Sequence, residues 1–195
     1  MKLFGPRDIT VTATGNVVIT DTGNSRIIEY TKDGDFVRQF GGKVSDTDTG
    51  PFKEPVGLAA APNGDLYVVD FWNQRIVHLD KDWKIVSEIK VPTWGSNGVT
   101  DRAYLALLPD GRLLATDPNP CTTAPDCPSP QSGKIMVFDG AGNLLTTYEP
   151  PKEGKNVVER PIGIATDGRS VLVADSAGML MQSLANRPPP WLRHT

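Results

Sequence analysis

The sequence has few of the residues that usually build catalytic and metal centres. It contains 2 histidines and 2 cysteines in 195 residues, which excludes any site that needs three histidines. The 20 basic residues are outnumbered by 23 acidic ones, and a net charge of −3 disfavours a general nucleic-acid binder, which is usually basic. No apolar run is long enough for a signal-peptide core or a membrane span. We therefore expect a soluble chain that inserts no segment into a membrane.

Glycine and proline, in contrast, are plentiful. The 19 glycines and 17 prolines indicate many turns. Their combined share stays below the roughly 25–30% that marks low-complexity sequence. The length of 195 residues is enough to bury a sizeable core, and we expect a single domain over residues 1–195.

Four segments repeat one pattern: an apolar strand, a tight turn, a second strand that ends in aspartate, and a third strand. They cover residues 5–41, 54–90, 102–148 and 160–184. Short runs rich in valine, isoleucine and leucine, bracketed by glycine turns, predict strands, and no window has helical periodicity. Four strands in each repeat of about 40–50 residues predict an all-β fold, a β-propeller of four-stranded antiparallel blades.

The motifs inside the repeats resemble those of the NHL repeat family. Residues 55–59 (PVGLA) and 161–165 (PIGIA) are similar to its Pro-x-Gly-Ile-Ala strand. Residues 21–27 (DTGNSRI) are similar to its Asp-x-Gly-Asn-x-Arg-Ile motif, and residues 70–76 replace Thr-Gly of that motif by Phe-Trp. The third repeat departs by an insertion at 118–133. The resemblance implies a propeller like those attached to bacterial surface or membrane-associated proteins.

The number of blades stays open at this point. By resemblance such propellers commonly have six blades, whereas four repeats are visible. The chain is then either a four-bladed ring or an open part of a larger propeller that self-associates. In the four-bladed case, residues 1–5 align with the end of a fourth strand, 37–41, and we expect them to complete the last blade.

The Asp-x-x-Asn-x-Arg motif favours a structural role, because it recurs. Aspartate and asparagine side chains hold tight turns by bonding local backbone, and the arginine can brace a neighbouring strand or an aspartate. We assign this role to Asp21, Asn24, Asp70, Asn73, Asp117 and Asp175.

The long connections indicate which end of the blades binds a ligand. Linkers between blades and the connection from the second to the third strand emerge at one end, and binding residues concentrate on such loops. Aromatic and arginine side chains are the usual anchors of binding surfaces. The candidates there are Arg26, Phe71, Trp72, Arg75 and Trp94. The alternative is that the rings fill gaps between blades.

The insertion at 118–133 holds both cysteines. Five residues separate Cys121 from Cys127, so we expect a disulfide, with free thiols as the alternative. A disulfide would indicate an oxidising compartment. Zinc needs more ligands than this pair, and we predict no metal and no cofactor.

The leading interpretation is a non-enzymatic binding or scaffold module for a protein, peptide or glycan, with no catalytic residues. The alternative is a metal-dependent propeller hydrolase or lyase, such as a lactonase. Amidating lyases resemble the repeat pattern but bind zinc through several histidines, and the chain offers His78 and His194. The compartment stays open; a longer exported or membrane-anchored chain is one interpretation.

Overall fold

The computed structural model describes residues 2–43, 45, 50–94, 102–118, 133–148, 160–176 and 181–183, the last three as backbone alone. This part of the chain is nearly all β, which confirms the predicted fold class. Cys121, Cys127 and His194 lie outside the described residues, so the predicted disulfide stays a prediction. Among the described residues, no helix is long and apolar enough to cross a membrane.

The strands form four antiparallel sheets, numbered here as blades 1 to 4, and in each sheet the strands follow chain order. Blade 1 consists of β1 (Ile9–Val11), β2 (Val17–Asp21), β3 (Arg26–Tyr30) and β4 (Phe36–Gly41). Blade 2 consists of β5 (Pro55–Ala60), β6 (Leu66–Asp70), β7 (Arg75–Leu79) and β8 (Ile85–Lys90). Blade 3 consists of β9 (Leu105–Leu107), β10 (Leu113–Asp117), β11 (Lys134–Phe138) and β12 (Leu144–Tyr148). The described part of blade 4 consists of β13 (Pro161–Thr166), β14 (Val171–Asp175) and β15 (Met181–Ser183).

Tight turns join the first and second strands of the blades. In blades 1 and 2 these turns contain Gly15 (φ 82°) and Gly64 (φ 94°), which occupy a left-handed conformation that costs glycine little. The connection from the second to the third strand is instead a short 3₁₀ turn, Thr22–Asn24 in blade 1 and Phe71–Asn73 in blade 2. These two kinds of connection lie at opposite ends of a blade, and we call them the turn end and the linker end.

The chain divides into two compact units, Met1–Gly95 with blades 1 and 2, and Ser96–Thr195 with blades 3 and 4. In unit 1 the blades pack face to face. Alternate residues of a strand point to opposite faces of its sheet. The face of a blade that meets the following blade is called its forward face. The opposite face is called its rear face. The forward face of blade 1 contributes Val18, Ile27 and Phe40 to the core of unit 1. The rear face of blade 2 contributes Leu58, Ala60, Leu66, Val68, Val77 and Leu79.

Unit 2 repeats this arrangement. The forward face of blade 3 contributes Ala106, Leu114, Ile135 and Val137 to its core. The rear face of blade 4 contributes Ile164, Val171 and Val173. Full burial of each aliphatic side chain stabilises the fold by about 1.5–3 kcal/mol, so the contact between blades is a main source of stability in both units.

The N-terminal segment corrects one expectation. Residues 2–8 form no strand; they run along the linker end of blade 1. The backbone N–H of Phe4 donates to Asp21 Oδ1 (2.7 Å), and its carbonyl accepts from Gly23 (2.8 Å). The segment therefore leads into blade 1 as residues 50–54 lead into blade 2, and residues 2–5 do not form the end of a fourth strand.

Candidate binding cleft at the linker end of unit 1

The aspartate that ends the second strand is a hydrogen-bonding centre in blade 1. The side chain of Asp21 is fully buried. Besides Phe4, it accepts from Asn24 Nδ2 (2.7 Å) and from Arg26 Nε (2.7 Å). Burying a carboxylate is costly unless donors replace its water, and the recurring Asn and Arg supply these donors.

Blade 2 repeats this centre. Asp70 accepts from the backbone N–H groups of Lys53 (2.9 Å) and Glu54 (3.2 Å), and from the side chains of Asn73 (2.7 Å) and Arg75 (3.0 Å). In blade 4, Asp175 accepts from the backbone N–H of Arg160 (3.0 Å). The aspartate therefore ties the incoming linker to the end of its own blade. Asp117, the equivalent in blade 3, is buried as well.

The two arginines proposed as ligand anchors are held inside these centres. Arg26 also donates to Gln39 (2.9 Å) and to the carbonyl of Lys2 (3.3 Å). Arg75 also donates to Glu88 (2.6 Å). Both side chains are largely buried, so the structure places them as braces of the blade end.

The residue after each 3₁₀ turn adopts a left-handed conformation, Ser25 at φ 56° and Gln74 at φ 53°. Such a conformation is uncommon outside glycine and persists where surrounding bonds hold it. Here the carbonyl of Ser25 accepts from Gly42 (2.9 Å), and that of Gln74 accepts from Val91 (2.8 Å). The side chain of Gln74 adds a bond to the carbonyl of Trp94 (2.6 Å). The outgoing linker is thus anchored at the same end as the incoming one.

The three aromatic candidates divide into two groups. Phe71 and Trp94 are each 1% exposed, and their rings stack with centroids 6.0 Å apart. Trp72 is 38% exposed and meets Phe71 edge to face at 6.1 Å. Phe71 and Trp94 therefore pack inside the end of blade 2. Of the three rings, that of Trp72 is the one exposed to solvent.

A cleft of about 620 Å³ opens beside Trp72, a size within the range of small-molecule and peptide sites. The lead-in segments of both blades and the two 3₁₀ turns form its walls. Its side chains include Phe4, Arg7, Lys43, Lys53, Glu54 and Trp72. Three exposed cations thus face one carboxylate in a chain whose net charge is −3.

Sequence reasoning missed these three cations. Lys43 and Lys53 lie on the linker 41–54, which the sequence did mark as long, and Arg7 lies in the N-terminal lead-in. Isolated lysines and arginines are common on any protein surface. The sequence could therefore have pointed to these three only through their position on a linker or lead-in segment. What makes them a group is the packing of blade 1 on blade 2.

The turn end of unit 1 has a depression of about 480 Å³ with a different character. There Arg38 donates to Glu29 (2.6 Å) and lies over the ring of Trp83 at 4.3 Å. Asn16 donates to the same carboxylate (2.8 Å). Arg38 and Glu29 neutralise each other here. The turn end should therefore attract a charged partner less strongly than the linker end does.

A partly buried carboxyl, that of Asp8, connects the two blades of unit 1. Asp8 Oδ2 accepts from the backbone N–H of Leu58 (2.7 Å), and Oδ1 accepts from Ile9 (2.8 Å). Burial raises the pKa of Asp8 above its ordinary value of 3.8, and the two backbone hydrogen bonds partly oppose this shift. The hydrogen bond to Leu58 joins the start of blade 1 to the first strand of blade 2.

The alternative of a metal site depends on the sequence's two histidines and on the carboxylates of the described ranges. No group of three or more histidine, cysteine, aspartate or glutamate residues is placed to hold an ion among them. His78, a strand residue of blade 2, pairs with Asp65 (2.9 Å) and stacks on Tyr67 with ring centroids 4.5 Å apart. These contacts account for its position in the strand.

Comparison with known proteins agrees with this architecture. The NHL repeat family matches residues 5–30 and 52–79, which run from the lead-in through the third strand of blades 1 and 2. The repeats of blades 1 and 2 are therefore NHL repeats. Over 154 residues the chain is 32% identical to the rat peptidylglycine alpha-amidating monooxygenase and 31% identical to the mouse protein. These alignments cover 76% of this chain and 15% of each relative.

Solved structures show the same fold at lower identity. Virginiamycin B lyase from Staphylococcus aureus superposes with a TM-score of 0.56 at 20% identity, covering 90% of this NHL-repeat chain and 54% of the lyase. The WD40 β-propeller domain of Doa1 superposes with a TM-score of 0.58 at 12% identity, covering 94% of this chain and 52% of the other. The chain thus spans about half the length of these solved propellers, and much less of the amidating enzymes.

Proposed function

We propose that the chain is a non-enzymatic binding module whose linker-end cleft in unit 1 holds an acidic segment of a protein or peptide. The observation that carries the proposal is the group Arg7, Lys43 and Lys53 around the exposed ring of Trp72. Clefts lined by one sign of charge concentrate ligands of the opposite sign. The chain as a whole has a net negative charge, so its overall composition does not account for this local excess of cations.

The scaffold suits such a role. Asp70 holds the backbone of Lys53, Asp21 holds the lead-in at Phe4, and the Ser25 carbonyl holds Gly42, the neighbour of Lys43. The cleft is thus supported by bonded backbone. Tryptophan supplies a large contact area with few rotatable bonds, and therefore loses little entropy on binding. An uncharged glycan would use the ring of Trp72 and leave the cations unpaired, which favours the acidic peptide.

The second candidate is a metal-dependent propeller lyase or hydrolase. The likeness to peptidylglycine alpha-amidating monooxygenases is the observation that favours it. Their aligned part is 15% of their length, so this likeness supports a shared repeat more directly than a shared reaction. Metal analysis of the purified chain separates the two candidates: a stoichiometric divalent ion, with loss of a lyase activity on its removal, would favour the enzyme.

The binding proposal is tested with a fluorescein-labelled hexaglutamate peptide and fluorescence anisotropy. We expect saturable binding that weakens with added salt, because ions screen exposed charges. Lys53→Glu is expected to weaken binding by about tenfold or more, which corresponds to about 1.4 kcal/mol. Trp72→Ala is expected to weaken it without changing the salt dependence.

The matched control is Lys84→Glu, which makes the same charge change at an exposed lysine of the turn end and should leave binding unaltered. Equal losses in Lys53→Glu and Lys84→Glu would mean that net charge alone attracts the peptide, and would refute a cleft. Tighter binding of single-stranded RNA than of the peptide would also refute the proposed ligand class.

A further inference from the structure

Two hydroxyl side chains lie in the wall of the linker-end cleft, and one of them has no partner among the described residues. Thr22 and Ser25 both line the cleft. The hydroxyl of Thr22 donates to the carbonyl of Pro55 (2.6 Å). Ser25 is 2% exposed, and its hydroxyl makes no hydrogen bond to another residue in the described part of the chain. Burying a hydroxyl without a hydrogen bond is costly, so this group is available to a ligand.

The hydroxyl is the polar group of Ser25 that is left to face the cleft. The backbone N–H of Ser25 donates to the carbonyl of Thr22 (3.0 Å), and its own carbonyl accepts from Gly42 (2.9 Å). With both backbone groups engaged, the residue is held in place, and the hydroxyl oxygen moves only by rotation about the Cα–Cβ bond. The donor is therefore presented to the cleft from a fixed backbone.

The equivalent residue of blade 2, Gln74, shows what a side chain can do at this position. Both residues have a left-handed backbone, which glycine would adopt at lower cost. Gln74 uses its side-chain amide to bond the carbonyls of Pro92 (3.2 Å) and Trp94 (2.6 Å). The side chain of Ser25 has no internal bond of this kind that would account for serine in place of glycine. Since strained residues cluster at functional sites, the contrast points to a task in binding.

A cation follows this hydroxyl closely around the wall of the cleft. Gly42, which donates to the carbonyl of Ser25, directly precedes Lys43. A Cβ on Gly41 would lie 2.8 Å from the same carbonyl, so glycine lets the linker come this close. Lys43 is exposed, lines the cleft and makes no ion pair with another described residue. The cleft thus has a hydroxyl donor and an ammonium donor on adjoining parts of its wall.

We propose that Ser25 and Lys43 form a subsite for one carboxylate of the ligand. This inference rests on the proposed binding of an acidic segment and deepens it, because charge alone attracts any acidic group, whereas a hydrogen bond from Ser25 selects one of them. A carboxylate has two acceptor oxygens, which suit these two donors, and hydrogen bonds to ionised groups are the stronger ones. The bound segment then has a defined register, with an aspartate or glutamate side chain at Ser25.

Anisotropy with the labelled hexaglutamate tests the subsite in two variants that lack the hydroxyl. Ser25→Ala keeps the Cβ, and Ser25→Gly suits the left-handed backbone, so the second variant should fold even if the first does not. Each should weaken binding by about tenfold, the size expected when a hydrogen bond to a charged group is lost. The salt dependence should stay as in wild type, because neither variant changes the charge. Thermal unfolding checks that each variant is folded.

Ser87→Ala is the matched control, since Ser87 is an exposed serine of blade 2 outside the cleft, and it should bind hexaglutamate as the wild type does. A second labelled peptide carries phosphoserine in place of one glutamate. If the Ser25 variants weaken this peptide much more than hexaglutamate, the subsite takes a phosphate and the proposed carboxylate is wrong.

The same titrations separate a failure of the subsite from a failure of the cleft. Full retention of hexaglutamate binding in a folded Ser25→Ala or Ser25→Gly chain would overturn the subsite and leave the proposed function intact. A wild-type chain that does not bind hexaglutamate would overturn the proposed function, and the subsite with it.

Discussion

Blades 1 and 2 have the same backbone plan but fill their linker ends differently. Each has a buried aspartate, an asparagine and an arginine in one network. At the 3₁₀ turn, blade 1 has Thr22 and Gly23 where blade 2 has Phe71 and Trp72. In blade 1 the chain itself covers the turn, since a Cβ on Gly23 would clash with the ring of Phe4.

This difference shows that the residues shared by both repeats set the hydrogen-bonded geometry of the blade end. The residues that differ set which side chains reach its surface. Blade 1 uses the lead-in segment to close its end, so its turn residues must be small. Blade 2 uses the ring of Phe71, stacked on Trp94, and leaves Trp72 partly exposed. A binding feature can therefore differ between two repeats while their hydrogen bonds stay the same.

The largest expected effect comes from the shared network. Asp70→Ala removes a buried carboxylate that accepts from four donors among the described residues, and should lower the free energy of unfolding by about 2–4 kcal/mol. Asp21→Ala should cost less, because three described donors point at Asp21. Urea denaturation measures both. Asp82→Ala, at an exposed ion pair with Lys81, should leave stability nearly unchanged, and a similar loss there would contradict the special role of the network.

An intermediate effect should distinguish the two turns. Gly23→Ala forces a Cβ against Phe4 and should lower the free energy of unfolding by about 1–3 kcal/mol. Trp72→Ala, at the equivalent position of blade 2, should change it by less than about 1 kcal/mol, because part of the ring is in solvent. Thermal unfolding compares them.

A shortened chain tests whether the clash with Phe4 is what destabilises Gly23→Ala. A chain without residues 1–4 loses the Phe4 contacts and should melt several degrees lower than the full chain. In that shortened chain Gly23→Ala should cost little, since the clashing ring is gone. An undiminished cost would mean that the alanine strains the turn itself.

The smallest expected effect concerns Asp8, whose position in blade 2 is occupied by Gly57. Since burial raises the pKa of Asp8, the folded chain binds this proton more tightly than the unfolded chain does. The contribution of this group to stability is therefore present at acidic pH and declines as pH rises from 3.8 through the raised value. Asp8→Asn keeps an acceptor for Leu58 N–H, and should remove this part of the pH dependence.

Stability curves of wild type and Asp8→Asn, measured by urea denaturation from acidic to neutral pH, check this sign. The two curves should converge at low pH, and the variant should be the more stable of the two near neutrality. A wild type that gains stability over the variant as pH rises would show that the hydrogen bonds outweigh burial at Asp8.

The fold was largely predictable from the sequence, because its signals are local. Alternating apolar residues, glycine turns and the recurrent aspartate identified each blade, and the second strands end at Asp21, Asp70, Asp117 and Asp175. The partners of these aspartates were less predictable. They include backbone N–H groups of linkers 15 to 17 residues away, which no local pattern specifies.

The candidate site was predictable only in part. The end of the blades that carries the long connections could be inferred, and Trp72 was among the residues chosen. Phe71 and Trp94 could not be separated from Trp72, because burial depends on which ring stacks on which. The three cations of the cleft come from segments that adjoin only when blade 2 packs on blade 1.

The sequence by itself determined the repeat, the strand pattern and the excess of turns, because each depends on neighbouring residues. Its scarcity of histidine and cysteine also excluded sites built from several of these residues, since composition limits how many of them this sequence can bring together. Tertiary structure decided which aromatic rings are buried and where positive charge collects. These properties depend on contacts between distant segments, and packing of one blade on the next brings those segments together.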